Sequence, residues 1–337
     1  MRLGVLGTGK IVQEFLPMVQ AIDTIQLAGL LTTPHSVARA QELQQRYHVE
    51  QLYTDYQQLL ADATIDTVYV ALPNSLHYQF TKQALLAGKN VICEKPFTLD
   101  AAQLDELTDL AQNQDLVLIE AITNQYLENY QAIKADLSKL GTLKIIECNY
   151  SQYSSRYDQF KAGTVLPAFN PKLGGGALMD LNIYNIHFVV GLLGAPSAVS
   201  YAANVERDID TSGVLVLTYP NVQVVCIGAK DCTSPVRSTI QGTAGSIVLN
   251  GPTNTVTNFT ETLRDQAPVT VAHNQYDHRM TAEFIEFERL IRTHDMAAVQ
   301  QHLQHSKAVM AVVDQALASA NLQLVSWLNT KKDSHLL

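Results

Sequence analysis

Three short segments of this 337-residue chain carry side chains that could do chemistry. In the run Gly174-Gly175-Gly176-Ala177-Leu178-Met179-Asp180-Leu181-Asn182-Ile183-Tyr184, the spacing of Asp180 and Tyr184 puts both on one face of a helix. His187 continues the same stripe. A carboxylate, a phenol and an imidazole are groups that accept, donate or orient protons. The glycines just before them let the backbone pass close to a ligand. The plainer alternative is a capped helix with a buried tyrosine and an exposed aspartate. In Cys93-Glu94-Lys95-Pro96, Lys95 could project into a cleft as a cationic donor beside a nicotinamide; a solvated Glu94–Lys95 ion pair at a strand end explains the same residues. In Leu72-Pro73-Asn74-Ser75-Leu76-His77, a proline turn with Asn74 or Ser75 capping the next helix accounts for Pro73, Asn74 and His77. The segment would nevertheless lie at the carboxyl edge of a parallel sheet, where open sheets bind ligands.

A fourth segment, Gly7-Thr8-Gly9-Lys10-Ile11-Val12, follows a strand and opens a helix. Gly7 permits the tight turn, Gly9 lets the backbone approach a pyrophosphate, and the helix N-terminus offers free N–H groups to the anion. Val12 stands where a dinucleotide fingerprint usually has glycine or alanine, so the match is incomplete. At the end of the second strand an NAD enzyme usually places an acidic residue against the ribose diol. Here Leu31-Thr32-Thr33-Pro34-His35 occupies that position, with Arg39 on the following helix and no acidic residue between Asp23 and Glu42. The hydroxyls of Thr32 and Thr33 suit a ribose hydroxyl or a 2′-phosphate. The missing carboxylate removes a repulsion against NADP without supplying a clear attraction. The cofactor reading is therefore NAD or NADP, leaning to NADP.

The elements that must position these groups fall into two patterns. Over the first 120 or so residues, apolar strands (Arg2–Leu6, Ile25–Leu31, Thr67–Leu72, Asn90–Cys93, Leu116–Glu120) alternate with helices of 3.6-residue periodicity. Short loops join them. This is the pattern of parallel βαβ units in a doubly wound α/β sheet of Rossmann type. Pro17 should kink or end the first helix. After about residue 122 the rhythm changes. Tyr126–Leu140 and Leu178–Leu193 read as helices, and Tyr153–Gly176 as irregular. Strands follow closely at Val199–Asn204, Val214–Tyr219, Val222–Lys230, Ser238–Gln241 and Ser246–Asn250, and helices near Asp277–Thr293 and Ser306–Leu322 close the chain. The expectation is a dinucleotide-binding domain over 1–122 and an α+β domain with a large, mainly antiparallel sheet over 123–337, with a ligand cleft between them.

Composition excludes some function classes. A formal net charge of −9 argues against nucleic acid and against an anionic membrane surface as partners. No apolar run is read as approaching the length of a membrane helix, and the N-terminus begins at once with a strand rather than a cleavable leader. Cys93, Cys148, Cys226 and Cys232 are scattered without a CxxC pair, so no metal site is expected, and reduced thiols in a cytoplasmic protein are the simplest reading.

Taken together, GVLGTGKI, ALPNSLHYQFTKQALLAGKNVICEKP and GGGALMDLNIYNIH, in that order and spacing, resemble the Gfo/Idh/MocA oxidoreductase family. Tyr184 rather than histidine after Asp180, and Glu120-Ala121 at the end of the last strand of the first region, look most like its dihydrodiol dehydrogenase/xylose dehydrogenase branch. The resemblance implies reversible hydride transfer between a nicotinamide and the carbinol or carbonyl carbon of a sugar, polyol or diol. It implies Tyr184 as general acid/base, Lys95 as a substrate-orienting and proton-handling group, and Asp180 as orienting the substrate or tuning its neighbours. Pro73, Asn74, His77 and Glu94 would line the ribose–nicotinamide half of the cofactor site, and Gly7, Thr8, Gly9, Lys10 and Ile11 its pyrophosphate. A phenol ordinarily ionises near pH 10, and an ammonium beside it favours the phenolate. The resemblance also implies a homo-oligomer, dimer or tetramer, built on the open sheet. Thr33 stands where members often carry an arginine that favours NADP, and Asn182 where glycine is common. Within 153–176, Arg156, Tyr157 and Lys172 are candidate substrate contacts, unless the stretch is a surface loop. The competing function is a ligand sensor that binds the cofactor without turnover; an acid/base set would be of no use to it.

Overall fold

The computed structural model describes residues 1–322. Its first eleven regular elements are β1 (Arg2–Leu6), α1 (Lys10–Val19), β2 (Gln26–Leu31), α2 (Val37–Tyr47), β3 (Gln51–Tyr53), α3 (Tyr56–Ala61), β4 (Thr67–Val70), α4 (Asn74–Leu86), β5 (Asn90–Glu94), α5 (Ala101–Asn113) and β6 (Leu118–Ala121). The strands form one parallel sheet in the order β3-β2-β1-β4-β5-β6. That is the strand order of a dinucleotide-binding sheet, with the order reversing between β1 and β4. Helices cover both faces, so β4 (Thr67-Val68-Tyr69-Val70) is buried at every position, as a central parallel strand must be. Val12, the odd residue of the glycine segment, is fully buried and packs as core. Helix α1 runs through Pro17 and ends two residues later at Val19.

The next elements are α6 (Glu128–Asp136), β7 (Leu143–Ser151), α7 (Tyr157–Lys161), a π-helical turn at Leu178–Asn182 and α8 (Ile183–Leu193). Seven strands follow: β8 (Ala198–Glu206), β9 (Ile209–Thr218), β10 (Gln223–Ala229), β11 (Arg237–Gly242), β12 (Gly245–Asn250), β13 (Phe259–Leu263) and β14 (Val269–Val271). Two helices, α9 (Thr281–Thr293) and α10 (Met296–Ser319), close the described chain. The second sheet has eight strands in the order β14-β13-β12-β11-β7-β10-β9-β8, antiparallel throughout except for the β7–β10 pair. One face carries Ile146, Cys148, Leu215, Leu217, Val224, Cys226, Ile240 and Ile247, all buried. The alternate positions stay half open, the alternation of a sheet covered on one side.

The α/β class, the parallel sheet and the mainly antiparallel second sheet match the sequence reading. Strands β13 and β14 were not legible. Thr260, Glu261, Thr262 and Leu263 are only half-buried near the sheet edge, so the run shows no apolar alternation. The last helix begins ten residues before the expected Ser306. Among the described residues one stretch, Pro171–Leu193, is long and apolar enough to cross a membrane by length and composition, with mean hydropathy 1.3. This corrects the reading that no run comes near that length, and 72% of that apolar window is buried within the fold.

The chain divides into two compact units, and the division is not a single cut at 122. Met1–Ala121 and Met280–Gln304 make one unit; Ile122–Arg279 and the described residues from His305 onward make the other. The return of α9 to the first unit has a packing cause. Phe284 sits 4.6 Å from Phe15 and 5.1 Å, edge-on, from Tyr69, and Phe15 and Tyr69 are themselves 4.9 Å apart. Three mutually contacting, fully buried rings are a large part of one core. Phe284→Ala should therefore destabilise the first unit by about 3–5 kcal/mol. Urea unfolding of the whole chain checks this, and an unshifted midpoint for the transition involving that unit would rule it out.

Candidate active site

In the first unit the candidate residues collect at the carboxyl ends of β1, β2, β4 and β5. Gly7 has a φ of +101°, and a Cβ there would lie 3.0 Å from the Ala71 carbonyl, so the residue must be glycine for both conformation and space. Gly9 is different. Its backbone is extended, the residue is exposed, and an added Cβ would meet nothing within 4 Å. Nothing inside the fold requires glycine there, so the open space is where a ligand backbone can approach. Helix α1 begins beside it with no side chain capping it and no acidic residue in its first turn, which leaves its N–H groups available to an anion. Lys10 is exposed, Ile11 half-buried and Thr8 buried. Beyond the end of β2, Thr32 is buried and Thr33 half-buried. A groove of about 310 Å³ opens next to Thr32 and is walled by Thr54, Gln79 and Phe80, among others. These features fit a dinucleotide: an open glycine, an uncapped helix start and a groove at the ribose end.

The Glu94-Lys95-Pro96 turn is held from three sides. The Tyr69 hydroxyl donates to Glu94 Oε1, the Phe97 N–H donates to Glu120 Oε1 at 3.1 Å, and His77 Nδ1 lies 2.8 Å from the Pro96 carbonyl. Glu94 is buried, so Glu94 and Lys95 are not a solvated surface pair. Lys95 is half-buried at the tip of the turn, and the Lys95–Pro96 peptide is cis. The other ring nitrogen of His77 lies 2.8 Å from the Leu72 carbonyl, and the residue is wholly buried. His77 therefore sits between the turn after β5 and the turn after β4, with a carbonyl oxygen near each ring nitrogen. Burial lowers the imidazole pKa, and the two carbonyl contacts offset only part of that. Pro73, exposed, and Asn74, half-buried, stay at the surface of the same edge; Pro73 is the N-cap position of α4, and no side chain caps it.

In the second unit the helix expected over Leu178–Leu193 begins instead as the π-helical turn Leu178–Asn182, then becomes α8. A π turn is a wide turn frequently found at functional sites. Its start is fixed by Asp210, whose Oδ2 accepts the Leu178 N–H at 2.6 Å and the Tyr201 hydroxyl at 2.8 Å. Gly176 has a φ of +113°, and a Cβ there would collide with Asp210 Oδ1, so the last glycine of the triplet is dictated by that carboxylate. Asn182 is fully buried and donates to the Cys226 carbonyl at 3.1 Å; a Cβ on Gly228 would lie 2.8 Å from Asn182 Cβ. Asn182 thus pins the turn against β10. Asp180 Oδ2 pairs with Lys230 Nζ at 2.8 Å. Tyr184, buried, has its ring centroid 6.3 Å from that of Tyr150 on β7. His187 is fully buried, with Nδ1 2.9 Å from His305 Nε2. Tyr157 stacks with Phe160 and Phe169 in a small apolar cluster and donates its hydroxyl to Glu206, while Arg156 and Lys172 are exposed.

Two members of this network were not anticipated. Lys230 shares the strand parity of Val224 and Cys226, so a lysine on the inward face was a readable signal. Asp210 was hidden by a bulge: the β8–β9 register steps from Asn204↔Ser212 to Val205↔Asp210, which turns Asp210 toward the face of Tyr201.

Comparison with known proteins gives a consistent family. Residues 1–122 match a family model described as an oxidoreductase family with an NAD-binding Rossmann fold, and residues 131–248 match the GFO/IDH/MocA C-terminal domain. A scyllo-inositol 2-dehydrogenase (NADP(+)) of Bacillus subtilis is 36% identical over 252 residues, covering 74% of this chain and 76% of that one. A D-xylose 1-dehydrogenase (NADP(+)) of Hypocrea jecorina is 27% identical over 94% of this chain and 91% of its own. Among solved structures, a 3-ketoreductase from Actinomadura kijaniata has the same fold, with a TM-score of 0.81 at 21% identity over 94% of this chain and 98% of that one.

Burial pushes the Asp210 carboxyl up from 3.8 to about 6, against the pull of its hydrogen bonds. A raised folded-state pKa means that this group's favourable contribution is complete below pH 3.8 and is lost as pH rises through 6. Asp210→Asn keeps an acceptor for Leu178 and removes the titration. It should flatten the fall in stability between about pH 4 and pH 7, followed by thermal melts across that range. An unchanged pH slope would show that Asp210 is already ionised at the bottom of the window.

Proposed function

This chain belongs to the GFO/IDH/MocA oxidoreductase family, and we propose that it is an NADP-preferring dehydrogenase that moves a hydride to or from the CH–OH carbon of a small polyol, sugar or diol. The observation that carries the reading is that Lys95, Asp180 and Tyr184 occur together in a chain whose first sheet presents an open Gly9 and an uncapped helix start at its carboxyl edge. A sensor needs the second feature and has no use for the first.

The bound nicotinamide supplies or accepts the hydride. Gly7, Thr8, Gly9, Lys10 and Ile11 hold the pyrophosphate against the start of α1, and Pro73, Asn74 and Glu94 border the nicotinamide ribose. Thr32 and Thr33 face the adenosine ribose; the turn after β2 carries no carboxylate, and Asp55 lines the groove beside Thr32. The two dehydrogenases named above use NADP(+), which supports the same preference. In the forward reaction the substrate hydroxyl must lose its proton as the hydride leaves. Tyr184 is the base that takes that proton, Lys95 donates to the developing oxyanion, and Asp180 accepts from a neighbouring substrate hydroxyl.

The same proposal places the protein in the cytoplasm, where four unpaired cysteines are at home. It also makes the protein a homo-oligomer, dimer or tetramer, through the outer face of the second sheet. On that face Val214 pairs with Ile227 and Val216 with Val225; Val214 is 41% exposed and Ile145 on β7 is 45% exposed. A contiguous aliphatic patch on an uncovered sheet suits a second copy of the chain.

Purified protein assayed with NADP and with NAD against scyllo-inositol, D-xylose and trans-1,2-dihydrobenzene-1,2-diol should reduce NADP faster than NAD with at least one of them. Lys95→Ala and Tyr184→Phe should each lower turnover by about 10²-fold or more. NADPH binding without turnover on any polyol or carbonyl would favour the sensor. Sedimentation should show a dimer or tetramer that Ile227→Asp shifts toward monomer; a monomeric wild type would dispose of the sheet-face interface.

A further inference from the structure

Lys230 follows β10 with a side chain only 3% exposed. Its ammonium donates to Asp180 Oδ2 at 2.8 Å and to the Ala168 carbonyl at 2.6 Å, and it lies 4.5 Å above the centre of the Phe169 ring. An ammonium taken out of water is costly unless paired, and an uncharged side chain of similar length would fill the same space at less cost. The charge therefore has a use, and its partners say which. Ala168 and Phe169 lie in the irregular 153–176 stretch. Asp180 keeps 38% of its side chain exposed. The pair thus runs from an interior cation to a carboxylate that a ligand can reach.

We propose that Lys230 is a positioning residue of the hydride-transfer reaction, acting through Asp180: it keeps that carboxylate aimed, and joins it to the 167–169 segment by one shared cation. The proposal rests on the dehydrogenase reading above. Three anchors make the aim rigid. The Asp180 N–H is bonded to the Gly176 carbonyl at 3.1 Å, the start of the π turn is held by Asp210, and Asn182 holds its end against β10. With the backbone fixed at both ends, the remaining freedom of Asp180 is its side-chain rotation, and Lys230 removes it. An ionised carboxylate only accepts hydrogen bonds, so an aimed Asp180 selects for a substrate hydroxyl presented as donor. Binding of that hydroxyl and the placement of the 167–169 segment are coupled through the same ammonium.

The test compares wild type, Lys230→Met, Lys230→Arg, Asp180→Asn and the Asp180→Asn/Lys230→Met double variant. The assays are steady-state turnover with NADP and scyllo-inositol or D-xylose, NADPH fluorescence titration and thermal melting. Lys230→Met should still melt cooperatively and bind NADPH within about twofold of wild type, while its kcat falls by about 10- to 100-fold. The double variant should be no slower than Asp180→Asn alone, because Lys230 acts through that carboxylate, and Lys230→Arg should recover most of the rate. Wild-type kcat in Lys230→Met overturns the proposal, as does a double variant slower by the product of the two single effects. Should Lys230→Met fail to fold, Lys230→Gln and Lys230→Arg decide. A slow Gln variant beside an active Arg variant supports the proposal, and equal activity in both sinks it. A wild-type chain that oxidises none of scyllo-inositol, D-xylose and trans-1,2-dihydrobenzene-1,2-diol removes the dehydrogenase reading and this proposal with it; an active wild type with an indifferent Lys230 removes this proposal alone.

Discussion

A buried charge has to be answered where it sits, and in the second unit that requirement organises the site. Lys230 holds an ammonium in the interior at the end of β10. One partner is a carbonyl from the 153–176 stretch and the other is Asp180, on the turn that leads into α8. The turn must therefore present its carboxylate to β10 whatever else it does. The wide π geometry, the glycine at 176, the Asp210 carboxylate at its start and the buried amide of Asn182 all follow from bringing it there. Few of these residues can change alone, because each satisfies a polar group that another leaves buried.

The first unit meets a different constraint with different means. A parallel sheet buried on both faces has nowhere to put polar chemistry except its strand ends, and reversal of the strand order between β1 and β4 opens those ends. The loops there need rigidity without bulk. Gly7 supplies the turn with no side chain, and His77 supplies a cross-link by accepting complete burial between two carbonyls. Tyr69 belongs to both parts of this arrangement. Its ring packs with Phe15 and Phe284 in the core, and its hydroxyl holds Glu94 at the edge. The turn that carries Lys95 is thus anchored through Tyr69 to the aromatic core of the first unit.

The sequence showed these two halves unequally. Alternation of apolar strands with amphipathic helices made the parallel sheet readable, since both signals are local. The segments bearing Lys95, Asp180 and Tyr184 were readable because unusual residue types cluster at short spacing. What stayed hidden depends on register. A bulge at Thr211 turns Asp210 inward, and the π turn at Leu178–Asn182 changes how Asp180 lies relative to Tyr184 and His187, which keep α-helical spacing in α8. His77 was ambiguous for another reason: the residue type is the same for a ligand contact and for a buried tie, and only the two carbonyls 5 and 19 residues away distinguish them. The edge strands β13 and β14 were missed because half-exposed strands carry little apolar pattern.

The network around Asp180 also governs how its substitutions should be read. Removing one member of a buried ion pair typically costs about 3–5 kcal/mol, chiefly because the other charge is left unanswered. Here the cost is reduced on the Asp180 side, since that carboxylate is more than a third exposed and partly screened by water. It remains large on the Lys230 side, where the ammonium has no water to return to. A loss of activity on changing Asp180 therefore mixes two effects: a missing acceptor for substrate and an interior cation that pulls the 167–169 segment and β10 out of place. The two separate only when Lys230 is neutralised as well. With the orphan charge gone, what remains of the defect measures what the carboxylate itself does for the substrate, and the difference measures the strain its absence had imposed on the fold.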